Sequence, residues 1–363
     1  MCVDCVIEKI NTKFKQRNLY NSNDFGVFNG LSGELLFLLM YKFLTKDETN
    51  KSLIYLYYDR IYEVIENSSS LYVNWASGIS GYFYMLNYLH DHNIISDEDY
   101  EYDSSFDEII YLKILEFINV KNYDCLYGVG GLLYFLQSRT NKNNVILDYL
   151  VDVIDEIYAN KYIYMVDQKN VDLGIPHGIS GWILILCEIY YKLDKNEKVF
   201  EILNKLSLIL LGCLKYNDKG NSSLFPKYNT GGSYNGYSLG WCYGDFSCCL
   251  ALLKSKSILN LEEYRLFEIL KLITCRKKSM LDNIGICHGA AGLMIINRYL
   301  YDKIKYIEFR ESEYFWKSNV IEKLNHLMNK DDFSLINGLS GLGLALLIGE
   351  YSEMTILNKI LFL

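Results

Sequence analysis

Seven short glycine-centred motifs recur along the 363-residue chain. FNGLSG, ASGISG, LYGVGG, PHGISG, CYGDFS, CHGAAG and INGLSG carry Gly30, Gly78, Gly128, Gly178, Gly244, Gly289 and Gly338, so neighbouring copies stand 48, 50, 50, 66, 45 and 49 residues apart. Self-similarity at a near-fixed period marks a chain built from one repeated supersecondary unit. Each motif is followed by a run such as ELLFLLMYKFL or WILILCEIYY, apolar nearly all round, as expected of a helix buried on every side. Each is preceded by an amphipathic stretch. In one of them Ile146, Leu150, Val153, Ile154 and Ile157 recur at helical spacing, opposite Asp148, Asp152, Asp155 and Glu156. The segments around 3–18, 51–67, 105–119, 196–214, 261–274 and 315–328 resemble it. Every repeat therefore predicts an amphipathic outer helix, a loop ending in glycine, and a buried inner helix.

Helix pairs stack as an open solenoid or close into a ring. An open solenoid leaves a polar helix face along its groove; these inner helices are apolar, which favours closure. The expected fold class is all-α, an α/α toroid (barrel) of seven helical hairpins with inner and outer rings. A single domain over 1–363 is expected, since only Pro176 and Pro226 occur and no linker composition appears. Half the residues are apolar, enough for a large core. A net charge of −8 argues against a nucleic-acid partner. The opening MCVDCVIEKINTKFK has no apolar stretch of a signal peptide, and the longest uncharged run, 333–349, falls short of a transmembrane span. A cytoplasmic location follows as an expectation, with the ten cysteines reduced.

In register just before the seven glycines stand Asn29, Ser77, Tyr127, His177, Tyr243, His288 and Asn337, all polar ahead of apolar helices. In a ring of equivalent hairpins these positions share one end and converge on the axis. One step further back, Cys242 and Cys287 occupy equivalent places in consecutive repeats. Two thiolates and the imidazole of His288, without a fourth protein donor, describe a zinc site with an open coordination position. Taken singly, each of the three reads as a buried small hydrophobe or a satisfied core histidine; in shared register they read as ligands. His177 holds the ring position of His288 in a repeat lacking the cysteine, and is a candidate acid/base. Asp124 is either its orienting partner or a loop carboxylate.

The remaining residues take quieter readings. Gly and Ser at each helix start are expected to cap the first turn. The G-x-S-G pattern is neither a nucleophile elbow nor a phosphate loop, so Ser32, Ser80, Ser180 and Ser340 read as structural. Cys125, Cys187, Cys213, Cys248, Cys249 and Cys275 read as packing, Cys2 and Cys5 as a lone C-x-x-C, and His90 and His92 as solvated loop residues.

At these residues the chain resembles the lanthionine synthetase C-like cyclases. GWCYG (240–244) and CHGAAG (287–292) look like that family's zinc motifs, and PHGISG (176–181) and DCLYGVGG (124–131) like its other active-site motifs. The resemblance implies the toroid and one Zn²⁺ per chain on Cys242, Cys287 and His288. It also implies acid/base roles for His177 and Asp124, with Tyr243 assisting. The implied reaction adds a cysteine thiol to dehydroalanine or dehydrobutyrine, forming lanthionine or methyllanthionine thioether rings in a ribosomally made precursor peptide. A dehydratase partner and a transporter complex are implied by the family alone, and such a complex would bring the chain to a membrane. Many cyclases carry an Arg shortly before WCYG; this chain has Ser238. The polar, Gly- and Tyr-rich stretch 215–240 reads equally as a lid or peptide groove and as a long surface loop. Rival readings are a non-catalytic peptide- or partner-binding toroid, and another zinc-activated thiol transferase, adding glutathione or resembling a prenyltransferase.

Overall fold

The computed structural model describes residues 2–68, 72–100, 102–141, 144–159, 171–215, 223–230, 238–261, 263–277, 283–328, 331–351 and 355–363. Among these residues regular structure is helical, and β-type pairing is limited to the isolated bridges Asp172–Tyr228 and Leu239–Gly244. Seven outer helices alternate with seven inner ones. The outer set is α1 (Val3–Lys15), α3 (Lys51–Glu66), α5 (Ser105–Asn119), α7 (Val145–Ala159), α9 (Glu197–Gly212), α11 (Glu263–Thr274) and α13 (Ile307–Met328). The inner set is α2 (Leu31–Thr45), α4 (Ile79–Asp91), α6 (Val129–Ser138), α8 (Ile179–Lys192), α10 (Asp245–Leu259), α12 (Ala290–Ile304) and α14 (Leu339–Tyr351), and a short α15 (Ile356–Ile360) ends the chain. No helix among the described residues is long and apolar enough to cross a membrane.

The two helix classes bury themselves as their patterns require. In α7 the five apolar positions Ile146, Leu150, Val153, Ile154 and Ile157 are buried while Asp148, Asp152 and Glu156 are exposed. In α2 every residue from Leu31 to Tyr41 is buried, and in α8 every residue from Ile179 to Cys187. The buried charge in α2 is Glu34. Its carboxylate accepts from Arg17 Nε (2.5 Å) and Nη2 (2.7 Å) and from the Tyr57 hydroxyl (2.7 Å), which is how a buried charge is tolerated.

The chain divides into two compact units, Met1–Tyr102 with Asn283–Leu361, and Asp103–Asp282 with Phe362–Leu363. In both, one hydrogen bond recurs. The amide one residue after each motif glycine donates to the carbonyl six residues before that glycine: Leu31 to Asp24, Ile79 to Tyr72, Val129 to Asn122, Ile179 to Asp172, Asp245 to Ser238, Ala290 to Asn283 and Leu339 to Asp332, at 2.8–3.1 Å. This bond folds the loop back onto its own helix. A Cβ on Gly178 would lie 2.1 Å from the Asp172 carbonyl oxygen, so the closure excludes any side chain there. Gly244 adds a φ of +132°, which other residues rarely adopt.

Loops of successive repeats are bonded to one another as well. In the first unit Cys287 N–H donates to Ile336 O (3.1 Å), Ile336 N–H to Phe28 O (3.1 Å), and Phe28 N–H to Ala76 O (3.0 Å). Within this unit the seventh repeat is thus bonded directly to the first. In the second unit Ile175 N–H donates to Cys242 O (3.2 Å), the same link between repeats four and five.

Four expectations are corrected. The serines do not cap their helices; Ser180 and Ser340 donate 2.5 Å bonds to the carbonyls of Leu173 and Phe333, seven residues back, and Ser32 does the same to Phe25. The last outer helix starts at Ile307, well before 315. Cys275 is exposed and Cys213 only half-buried, because both lie at helix C-termini rather than on packed faces, whereas Cys125, Cys187, Cys248 and Cys249 are buried. His90 belongs to α4, stacked on Tyr100 and bonded to Asp97 (2.7 Å). Most of the stretch 215–240, with its lid or groove, lies outside the described residues.

Candidate functional site

The second unit carries Asp124, His177, Cys242 and Tyr243 on the loops of repeats three to five. Asp124 serves two ends at once. Its Oδ1 accepts from the amides of Leu126 (2.7 Å) and Tyr127 (2.8 Å), setting the turn, while Oδ2 lies 2.6 Å from His177 Nδ1. A carboxylate can only accept, so Nδ1 carries the proton and Nε2 is left for another partner. The His177 side chain is 37% exposed. Tyr127 stacks over it with ring centroids 6.2 Å apart, and the Tyr243 ring stands 6.5 Å away.

Asp172 joins this cluster. Its Oδ1 accepts from Gly174 N–H (2.7 Å), and its carboxyl also bonds the Tyr243 hydroxyl. Burial holds the Asp172 carboxyl above the usual carboxylate range, against the opposing pull of the Gly174 amide, Tyr243, His177 and Lys227. The Tyr243 phenol is pushed well up, first by burial and then by the Asp172 charge. It therefore stays a neutral donor. Lys227 completes the group, its Nζ 4.5 Å from the Tyr243 ring centroid.

The three expected ligands are distributed between the units. Cys242 lies in the second; its side chain is buried and its carbonyl receives the Ile175 amide, so closely that a Cβ on Gly174 would come within 2.1 Å of that oxygen. Cys287 and His288 lie in the first, both half-buried on the loop held by Ile336. A side-chain bond to Cys287 raises the proton affinity of His288 above the ordinary imidazole value, although burial opposes it. Two thiols and an imidazole are donors suited to zinc. The thiols of Cys125, Cys187, Cys248 and Cys249 are instead pushed up by burial and are inert as ligands or nucleophiles.

The family model described as lanthionine synthetase C-like protein matches residues 21–361. The chain belongs to this family. Among curated relatives of this lanthionine synthetase C-like chain is the lacticin 481/lactococcin biosynthesis protein LcnDR2 of Lactococcus lactis subsp. lactis. It is 25% identical over 77% of this chain, which spans only 30% of that relative's length. The nisin biosynthesis protein NisC of the same organism is 22% identical over 95% of this chain and 91% of its own. The solved structure of a nisin cyclase matches 99% of this chain and 96% of its own, with a TM-score of 0.78 at 18% identity. The fold is accordingly the α/α toroid expected from the repeats.

Asp172 and Lys227 were not singled out by sequence reasoning. A signal for Asp172 existed: it stands six residues before its glycine, in register with Asp24, Asn122, Asn283 and Asp332. Lys227 had none, since it belongs to the long connection peculiar to one repeat.

Proposed function

We propose that this chain, taken as one domain, is a zinc-dependent peptide cyclase that adds a cysteine thiol to a dehydroalanine or dehydrobutyrine of a ribosomally made precursor. The observation that carries this reading is the bonded pair of Asp124 and His177, open to solvent beside Tyr243, in a chain of this family. Cys242, Cys287 and His288 would hold the zinc; their donor chemistry and their shared repeat register support this. When bound, zinc supplies a Lewis acid at which a substrate thiol is kept deprotonated.

The chain's own residues supply the proton handling. With Nδ1 committed to Asp124, His177 presents Nε2 to the substrate as base for the thiol proton. The same nitrogen then returns a proton to the α-carbon of the former dehydro residue, so the addition is balanced without loss of atoms. Asp124 fixes the ring orientation and stabilises the imidazolium formed in between. Tyr243 stays protonated and offers its phenol as a donor nearby. The substrate is a dehydrated precursor peptide, and a dehydratase partner is the matching supplier of such peptides. A cytoplasmic setting suits free thiols on ten cysteines.

The test is direct. The purified protein, with zinc measured by elemental analysis, is incubated with a synthetic peptide carrying one dehydroalanine and one cysteine. Ring closure removes the free thiol without changing the mass, so alkylation followed by mass spectrometry reads it. About one zinc per chain and loss of alkylation are expected. A protein that neither holds nor takes up zinc, or leaves the thiol untouched, overturns the reading.

A further inference from the structure

Lys227 is held in place more firmly than a lysine in a long connection requires. Its carbonyl accepts from Leu173 N–H (3.0 Å), and the amides of Asn229 and Val171 are exchanged across the same pairing, to Val171 O and Asn229 Oδ1, each at 2.9 Å. Upstream, the amides of Leu224 and Phe225 donate to Asp245 Oδ1 (2.8 and 3.0 Å), and buried Asp245 is itself paired with Arg276 at 2.5 Å. Pro226 and Phe225 are buried between these anchors. The segment 223–230 is thus pinned against 171–173, the stretch that leads into His177.

What this pedestal presents is a cation. The ammonium of Lys227 stands 4.5 Å from the Tyr243 ring centroid and 5.1 Å from that of Tyr228. No carboxylate of the described residues closes an ion pair with it. Asp172 is within electrostatic range, but its oxygens are engaged by the Gly174 amide and the Tyr243 hydroxyl. Tyr243 therefore has His177 and the Lys227 ammonium as neighbours, while Asp172 holds its hydroxyl.

We propose that Lys227 is a further catalytic residue, whose ammonium holds the backbone carbonyl oxygen of the dehydro residue while the thiol adds to it. The inference rests on the cyclase reading above. When sulfur bonds to the β-carbon, the carbon–carbon π pair shifts and negative charge collects on that carbonyl oxygen as an enolate. Protonation of the α-carbon then restores the carbonyl. A fixed cation placed where charge develops lowers the barrier without reorganising at the moment of reaction. Lys227 brings its ammonium to this cluster against the Tyr243 ring, while His177 is the group that handles the protons.

The experiment compares Lys227→Met and Lys227→Arg with the natural protein on the synthetic dehydroalanine–cysteine peptide, following single-turnover thiol loss. Peptide affinity is read by fluorescence anisotropy and zinc by elemental analysis. The methionine variant, which keeps the aliphatic stem, is expected to close rings on the order of 10²–10³-fold more slowly, with affinity and zinc content unchanged. The arginine variant keeps the charge and should recover much of the rate. A methionine variant as fast as the natural protein overturns the assignment, as does one that loses affinity while its bound-state rate is intact. If the natural protein itself closes no ring, the cyclase reading fails and this inference with it. If only the Lys227 comparison fails, the cyclase reading stands.

Discussion

His177 Nδ1 lies 2.6 Å from Asp124 Oδ2, although the two residues are 53 positions apart and belong to different repeats. The same carboxylate's other oxygen is occupied by two amides of its own turn, so Asp124 cannot swing away without opening that turn. The imidazole is thus oriented by a group that is itself fixed.

Replacing Asp124 with Asn separates the two duties. Its side-chain oxygen can still serve the turn, but the amide group then facing Nδ1 donates, forcing the other tautomer. Ring closure is expected to fall about 10²–10⁴-fold, the range lost with a general acid–base group. Circular dichroism and zinc content should be unchanged. A rate near that of the natural protein would show that Asp124 is only a turn carboxylate.

Zinc should depend on all three proposed donors. Cys242→Ala and Cys287→Ala are each expected to lose the metal measured in the natural protein, with helical content retained. Chelation should abolish thiol consumption, and added zinc should restore it in the natural protein alone. Full zinc occupancy in either variant would exclude that cysteine as a ligand.

Gly178→Ala tests the loop closure. The new methyl would meet the Asp172 carbonyl oxygen at 2.1 Å, a backbone atom that cannot yield without breaking the recurring bond. Overpacking of this kind costs about 1–3 kcal/mol or more. Gly212, with nothing within 4 Å of an added Cβ at the end of α9, is the control. Its alanine variant should be as stable as the natural protein or gain up to about 1 kcal/mol. Chemical denaturation of both checks the contrast, and equal midpoints would remove the steric account.

Glu34 gives a stability–pH signature. Burial raises its carboxyl above the usual range more strongly than Arg17 and Tyr57 lower it. The folded state then binds this proton more tightly than the unfolded chain. The associated stability is present below the ordinary carboxylate value of about 4.3 and is lost as pH rises through the raised folded value. Glu34→Gln does not titrate and breaks a buried pair, at a cost of about 3–5 kcal/mol. Its deficit against the natural protein should therefore shrink between acid and neutral pH. A deficit that grows over that range would show that the ion pair outweighs burial.

Much of this molecule was legible as periodicity. Seven glycines at even spacing, with apolar runs behind and amphipathic runs ahead, dictated the helix hairpins, because burial on all sides and burial on one face write different patterns. The polar positions before the glycines marked His177, Tyr243 and His288 for the same reason. The serines were misread because their hydroxyls bond seven residues back, a loop contact that no helical spacing encodes. Cys275 was misread because an apolar neighbourhood in sequence says nothing about a helix end facing water.

The repeat, the class of each helix and the register in which donors stand depend on interactions between near neighbours along the chain, and so are written in the residue pattern. Long-range packing is what lets Asp124 reach His177, gives Asp172 the Tyr243 hydroxyl, and delivers Lys227 beside them from an irregular segment. The first two contacts join residues more than 50 positions apart, and Lys227 is brought in by its backbone bond to the equally distant Leu173. They arise because the backbone bonds of irregular loops, from Leu173 to Lys227 and from Ile175 to Cys242, must be satisfied by whatever stretch packs alongside.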